Sequence, residues 1–129
     1  MMGGGGSSSI RFKWTRLADV PLTSSSRQME ILDGILYLIG GGSGTYYDTP
    51  ISTIDRYDIA SNTWLSKIYL PLALLRPGAF VYNNDLYVSG GKGTNPKVLL
   101  KLLKSNNTFQ TLPNAPFMQY GSVCRCVDV

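Results

Sequence analysis

Two glycine-rich stretches are the first places where this sequence could do chemistry. Gly40-Gly41-Gly42-Ser43-Gly44 and Gly91-Lys92-Gly93-Thr94 each follow an apolar run, as a phosphate-cradling loop does. A phosphate loop also opens a helix and closes on Gly-Lys-Ser/Thr, and neither stretch does so. Cys124 and Cys126 are the two thiols. They stand two residues apart, about 6.6–7 Å along a strand, which suits disulfide geometry poorly. They read as reduced thiols on the buried face of a strand, in keeping with a reducing, cytoplasmic compartment. The sequence contains no histidine. That removes Ser-His-Asp catalysis, imidazole metal ligands and a histidine general base. The eight acidic residues form no obvious pair, and Asp55 and Asp58 fall on opposite faces of one strand. No catalytic site, metal or cofactor is expected.

The elements that would position any other site come from a repeated pattern. Ile35-Leu36-Tyr37-Leu38-Ile39-Gly40-Gly41 returns about fifty residues later as Asp85-Leu86-Tyr87-Val88-Ser89-Gly90-Gly91. Trp14 and Trp64 keep the same interval, as do Pro21 and Pro71. A fixed period of this size signals a repeat architecture rather than one irregular core.

Residues 1–9 form a Gly/Ser-rich flexible lead. Residues 10–20, with Phe12, Trp14 and Leu17 in loose alternation, predict a strand that Pro21 ends. Four strands follow, over 28–32, 35–39, 52–59 and 63–70, the last closed by Pro71. Asp33-Gly34 is a strong two-residue hairpin signal between the first two, and 40–50 is a long Gly-rich connection. Residues 79–82, 85–88, 97–103 and 108–112 repeat the plan, with Asn83-Asn84 and Ser105-Asn106-Asn107 as tight turns. Gly121 to Val127 begins another first strand, which puts Ile31, Val81 and Cys124 in equivalent positions. The expected segments are therefore 1–9, 10–21, 22–71, 72–116 and 117–129.

The 129 residues are 43% hydrophobic, so the chain can bury a core. The net charge of +4 comes from scattered Lys and Arg, without the aromatic-interleaved basic face of a nucleic-acid binder. Its longest apolar run, Ile35 to Ile39, is far too short to span a bilayer, and no secretory signal precedes it. Neither nucleic acid nor membrane is expected as a partner.

Four short antiparallel strands per unit of about fifty residues is the pattern of a propeller blade. Asp33 to Gly41, then Asp55-Arg56-Tyr57-Asp58, then Asn62-Thr63-Trp64, resembles a kelch repeat. Tyr57 and Trp64 keep the family's spacing. In the second unit Leu102 and Phe109 stand in their places. The resemblance covers roughly residues 12–127 and implies an all-β fold, a partial kelch-type propeller of about two blades plus a strand at each end. Gly40, Gly41, Gly90 and Gly91, together with Trp14, Tyr57, Trp64 and Phe109, are then structural motif positions. The large aromatic of the outer strand is expected to pack across its own blade onto the next.

What the resemblance implies for function is protein–protein interaction, as in kelch-like adaptors that bring substrates to a cullin–RING ubiquitin ligase. Actin binding is a second reading within that class. A fragment of a kelch-type enzyme, an oxidase or a sugar epimerase, is the reading from another class. Some kelch-type oxidases hold copper on Tyr and His ligands, and without histidine such a site could not be complete here. The partner-contacting positions are the loops before each first strand and after each second strand: Ser26, Arg27, Arg76, Ser43, Tyr46, Tyr47, Gln119 and Tyr120. Arg76 resembles the arginine with which kelch-like adaptors grip acidic peptide motifs. The plainer readings are that Arg76 is a solvated arginine before a proline and that Tyr46 and Tyr47 pack their loop. Exposed blade faces are expected to lead to self-association.

Overall fold

The computed structural model describes residues 13–116. Residues 117–129, and with them Gln119, Tyr120, Cys124, Cys126 and the strand expected over 121–127, lie outside the described residues.

Ten strands form two antiparallel sheets. In the first, β1 (Gln28–Leu32) pairs with β2 (Ile35–Ile39) through the Asp33-Gly34 turn. Both turn residues have positive φ, as a hairpin that follows strand twist requires. β2 pairs with β4 (Thr49–Asp58), and β4 with the short β3 (Gly42–Ser43). The outer position is shared by β5 (Thr63–Trp64) and β6 (Ile68–Leu74), both paired to β4. The second sheet runs β7 (Gly78–Tyr82), β8 (Asp85–Ser89), β9 (Leu99–Leu103), β10 (Thr108–Leu112) as four consecutive antiparallel strands. Each sheet is one propeller blade.

Several boundaries differ from the sequence reading, each for a local reason. Pro71 does not end its strand: it lies exposed inside β6, where the ladder to β4 shifts register between Thr53↔Tyr69 and Ile51↔Leu74. A proline costs no ladder bond at a bulge. Residues 42–43 and 49–51 are strand rather than loop, because Gly42 pairs with Pro50 and Ser43 with Thr49. β9 starts at Leu99, since Asn95 Oδ1 accepts from Lys97 N and Asn95 O from Val98 N in a preceding turn. Residues 13–20 run beside the first blade without joining a ladder. Trp14 is 97% exposed there, so it does not play the packing part of Trp64. Trp64 packs because β4 sets Tyr57 opposite it, and nothing among the described residues sits opposite Trp14.

The core lies between the blades. Side chains alternate along each strand, so each blade has two faces. Leu32, Tyr37, Ile39 and Ile54 of the first blade form one buried cluster with Ala79, Leu86, Val88, Leu100 and Leu102 of the second. Burying each large member stabilises by roughly 1.5–3 kcal/mol, and that junction holds the two blades together.

Close backbone contacts account for glycine at two of the doublet positions. Gly40 has φ +60, and a Cβ there would meet the Leu74 carbonyl at 2.6 Å; Gly91 has φ +91 and would meet that of Leu75 at 2.9 Å. Backbone from the outer strand passes too close for any side chain.

Candidate functional site

The second strand of each blade ends where the next blade's first strand begins, so the connecting loops gather at one end. Two isolated bridges pin them. Ser25 pairs with Gly42 in the first blade and Leu75 with Lys92 in the second. The two bridges are equivalent under the fifty-residue period, and so are the residues that follow Ser25 and Leu75. Ser26 has φ 56 and Arg76 has φ 55. Both are exposed tips in the left-handed region, which costs a non-glycine residue roughly 1–2 kcal/mol.

The end therefore presents Ser26 and Arg76 on matching tips. Ser43, exposed Tyr46 and Tyr47 follow in the loop bonded to Ser25. Tyr47 is itself left-handed, and its carbonyl would lie 2.0 Å from a Cβ on Gly42. That contact fixes the tyrosine loop against the bridge. Lys92 is exposed on the same bridge as Leu75, one residue from Arg76. The sequence reading missed it, because the residue at the matching place in the first blade is glycine. Arg76 makes no ion pair or hydrogen bond with any described residue.

Arg27 leaves the candidate set. Its side chain is only 8% exposed, against 1% for its partner Asp55, and Arg27 Nη1 stands 2.6 Å from Asp55 Oδ2. Nε donates to the Gly40 carbonyl at 2.8 Å, and Nη2 to those of Leu38 and Thr53 at 2.9 Å each. Lys67 Nζ approaches the other Asp55 oxygen at 3.3 Å. Arg27 is a buried clamp from the end of β2 to the middle of β4. Nothing in the spacing of 27 and 55 marks them as a pair in the sequence. The signal was in the repeat itself. One period on, the pair is replaced by Pro77 and Leu100, both buried and apolar. The first blade holds with ions the place that the second fills with hydrocarbon.

Tyr57 and Trp64 meet as the motif requires, as cross-strand partners with ring centroids 5.1 Å apart and tilted by 53°. Leu102 and Phe109 pair in the same register in the second blade. Yet Trp64 does not pack onto the second blade. It lies on the opposite face, where Leu17, Ala18 and Val20 share a cavity with it, Met29, Leu36, Leu38 and Tyr57. Trp64 Nε1 donates to the Ala18 carbonyl at 3.4 Å, and Ala18 N to Asn62 Oδ1 at 3.2 Å. The odd-numbered residues of β4 point away from the junction, and Trp64, opposite Tyr57, follows them.

Burial raises the pKa of Glu30 above its ordinary value. Burial also raises that of Tyr37; Arg56 opposes the shift and Asp33 adds to it. Glu30 and Tyr37 are cross-strand partners on the junction face, far from the loop tips. The described residues hold no group of three or more His, Cys, Asp or Glu able to hold a metal ion.

Two four-strand-type blades joined face to face, with loops gathered at one end, define a β-propeller segment. Residues 25–66 match the kelch motif. A kelch domain-containing protein of Saccharolobus solfataricus is 39% identical over 87 residues, covering 64% of this chain and 11% of that protein. Kelch-like protein 33 of Homo sapiens is 29% identical over 90 residues, covering 70% and 16%. Kelch-like ECH-associated protein 1B of Danio rerio is 29% identical over 79 residues, covering 60% and 14%. The solved structure of YjhT superposes with a TM-score of 0.70 at 21% identity, over 81% of this chain and 42% of that one. A kelch motif thus lies over residues 25–66, and the chain is similar to kelch-repeat proteins over about two thirds of its length. It spans between 11% and 16% of the length of these three curated relatives.

Proposed function

We propose that the chain is a protein-interaction module that reads its partner with the loop end of its blades. Kelch repeats are the module, and the finer reading is substrate recognition as in kelch-like adaptors of cullin–RING ubiquitin ligases. Arg76 is the observation that carries it. An exposed arginine is kept in a left-handed conformation that glycine would relieve, and no described residue uses its charge. Backbone strain at an exposed position is the kind of feature that marks a binding tip. The guanidinium fork suits a carboxylate, so the ligand class is an acidic segment, with the exposed Tyr46 offering aromatic contact area in the tyrosine loop. Arg27 belongs to the scaffold that holds this end and makes no contact itself.

An array of acidic peptides probed with the chain tests the reading. Retained peptides should be acidic, and Arg76→Ala should release them while Lys13→Ala, remote from the loop end, does not. Peptides held equally by Arg76→Ala would refute it.

A further inference from the structure

The tips at Ser26 and Arg76 share one backbone geometry and are mounted in two different ways. Each begins at a bridge. Ser25 N donates to the Gly42 carbonyl at 3.1 Å and Gly42 N to that of Ser25 at 2.8 Å; Leu75 N and Lys92 N make the same exchange at 2.8 and 2.7 Å. Each then turns left-handed at its exposed residue. Each lies over the second glycine of a doublet. A Cβ on Gly91 would meet Leu75 O at 2.9 Å and the Pro77 backbone at 3.1 Å, and one on Gly41 would meet Ser25 O at 2.7 Å and Arg27 Cγ at 2.6 Å. The residue after the tip is where they differ. Pro77 is buried, and its ring fixes its own φ. Arg27 has no ring. Its guanidinium does the fixing, on the carbonyls of Leu38, Gly40 and Thr53 and on the Asp55 carboxylate.

We infer that Asp55 is a positioning residue of the recognition end: without touching the partner, it sets the Ser26 tip through Arg27. Its effect on binding rests on the acidic-segment reading, whereas its effect on the tip stands on the bridge geometry. A left-handed backbone is unfavourable for serine and persists only where the surroundings over-determine it. Ser26 has two supports, the bridge before it and the clamped arginine after it. Carbonyls alone do not hold that arginine, because a cation whose side chain is 8% exposed needs a counter-charge, and Asp55, at 1%, supplies it. With Asp55 removed, the guanidinium turns toward water and draws the chain at Arg27 with it. The Arg27 stem then leaves Gly41, the Ser25 bridge loses its cover, and the tyrosine loop bonded to Ser25 loosens. Stability does not account for the ions, since the second blade closes the same place with Pro77 and Leu100. What the ions supply is the lock on the tip, in a blade that has no proline there. A tip held in its binding conformation only a tenth of the time would bind about tenfold more weakly.

The experiment compares the full-length wild type with Asp55→Leu and Arg27→Pro/Asp55→Leu, at a temperature where circular dichroism shows all three folded. Hydrogen exchange at the Ser25 and Gly42 amides needs no partner. It should quicken about tenfold in Asp55→Leu and return to the wild-type rate in the double variant, where proline takes over the lock. The amides of β8, in the other blade, are the reference, because a general loss of stability would speed them equally. Titration with the acidic peptide best retained by the wild-type chain should follow the same order: about tenfold weaker for Asp55→Leu and restored in the double variant. Asp55→Asn, which keeps the shape and loses the charge, replaces Asp55→Leu if that variant does not fold, with the same expectation. A folded Asp55 variant with wild-type exchange at Ser25 and Gly42 overturns the inference, as does a double variant as loose as the single. Faster exchange with unchanged binding overturns it too, since the tip would then play no part in recognition. Release by Arg76→Ala is measured in parallel, so that a failure of the acidic-segment reading shows there and a failure at Asp55 shows in the exchange.

Discussion

Asp55→Leu puts the energetics of the clamp to the test. The substitution leaves the Arg27 guanidinium 8% exposed and without its carboxylate. Removing one partner of a buried pair costs about 3–5 kcal/mol, most of it the penalty of a buried unpaired charge. Lys67 adds little, because its side chain is 37% exposed and can turn to solvent. Arg27→Pro alone strands Asp55 in the same way, with only Lys67 at 3.3 Å, and should cost a similar amount. The double variant Arg27→Pro/Asp55→Leu copies the second blade, where Pro77 and Leu100 are buried together. Of the three carbonyls that lose an Arg27 donor, Thr53 O still accepts from Gly40 N at 3.2 Å. Gly40 O carries the main loss, about 1–2 kcal/mol. The double variant should therefore fall only about 1–2 kcal/mol below wild type, so the two costs overlap by about 4 kcal/mol or more. Urea unfolding of the four proteins, followed by tryptophan fluorescence, measures this. Singles that cost nothing, or a double equal to their sum, would refute the reasoning.

Three further outcomes follow from the same geometry. Gly42→Ala should cost several kcal/mol and loosen the tyrosine loop, since its Cβ would lie 2.0 Å from the Tyr47 carbonyl; hydrogen exchange of residues 43–48 reads the loosening. Trp64→Ala should cost about 2 kcal/mol, below the ~3–5 of a fully buried tryptophan, because the residue is only partly buried and mainly the Tyr57 contact is lost; thermal unfolding measures it. Glu30 has a raised pKa, so the fold favours its neutral form: that contribution is fully present below the ordinary value of 4.5 and is lost as pH rises through the raised value. Glu30→Gln should thus gain stability on wild type as pH climbs through that window and match it in stronger acid, as paired melts across pH would show.

The blades were legible in the sequence because their marks are local. Asp33-Gly34 and Asn83-Asn84 fix hairpins through positive φ, and the glycine doublets mark where backbone crosses backbone. What was hidden depends on which face a residue takes and who stands opposite. Trp14 carries the motif's spacing, but a tryptophan packs only where a partner strand supplies a Tyr57. Arg27 has the look of a loop arginine, and only the fold brings Asp55 and three carbonyls to it. Ser26 and Arg76 were named as loop candidates, but their left-handed backbone belongs to the bridges beside them.

Arg76→Gly separates recognition from scaffold most directly. Glycine relieves the left-handed strain at φ 55, so the melting temperature should hold or rise. Affinity for the acidic peptide that the wild-type chain retains, measured by titration calorimetry, should fall by about 2 kcal/mol or more, the mark of a hot-spot arginine. Unchanged affinity with raised stability would contradict the account, and would make Arg76 one more solvated side chain at the tip of a blade.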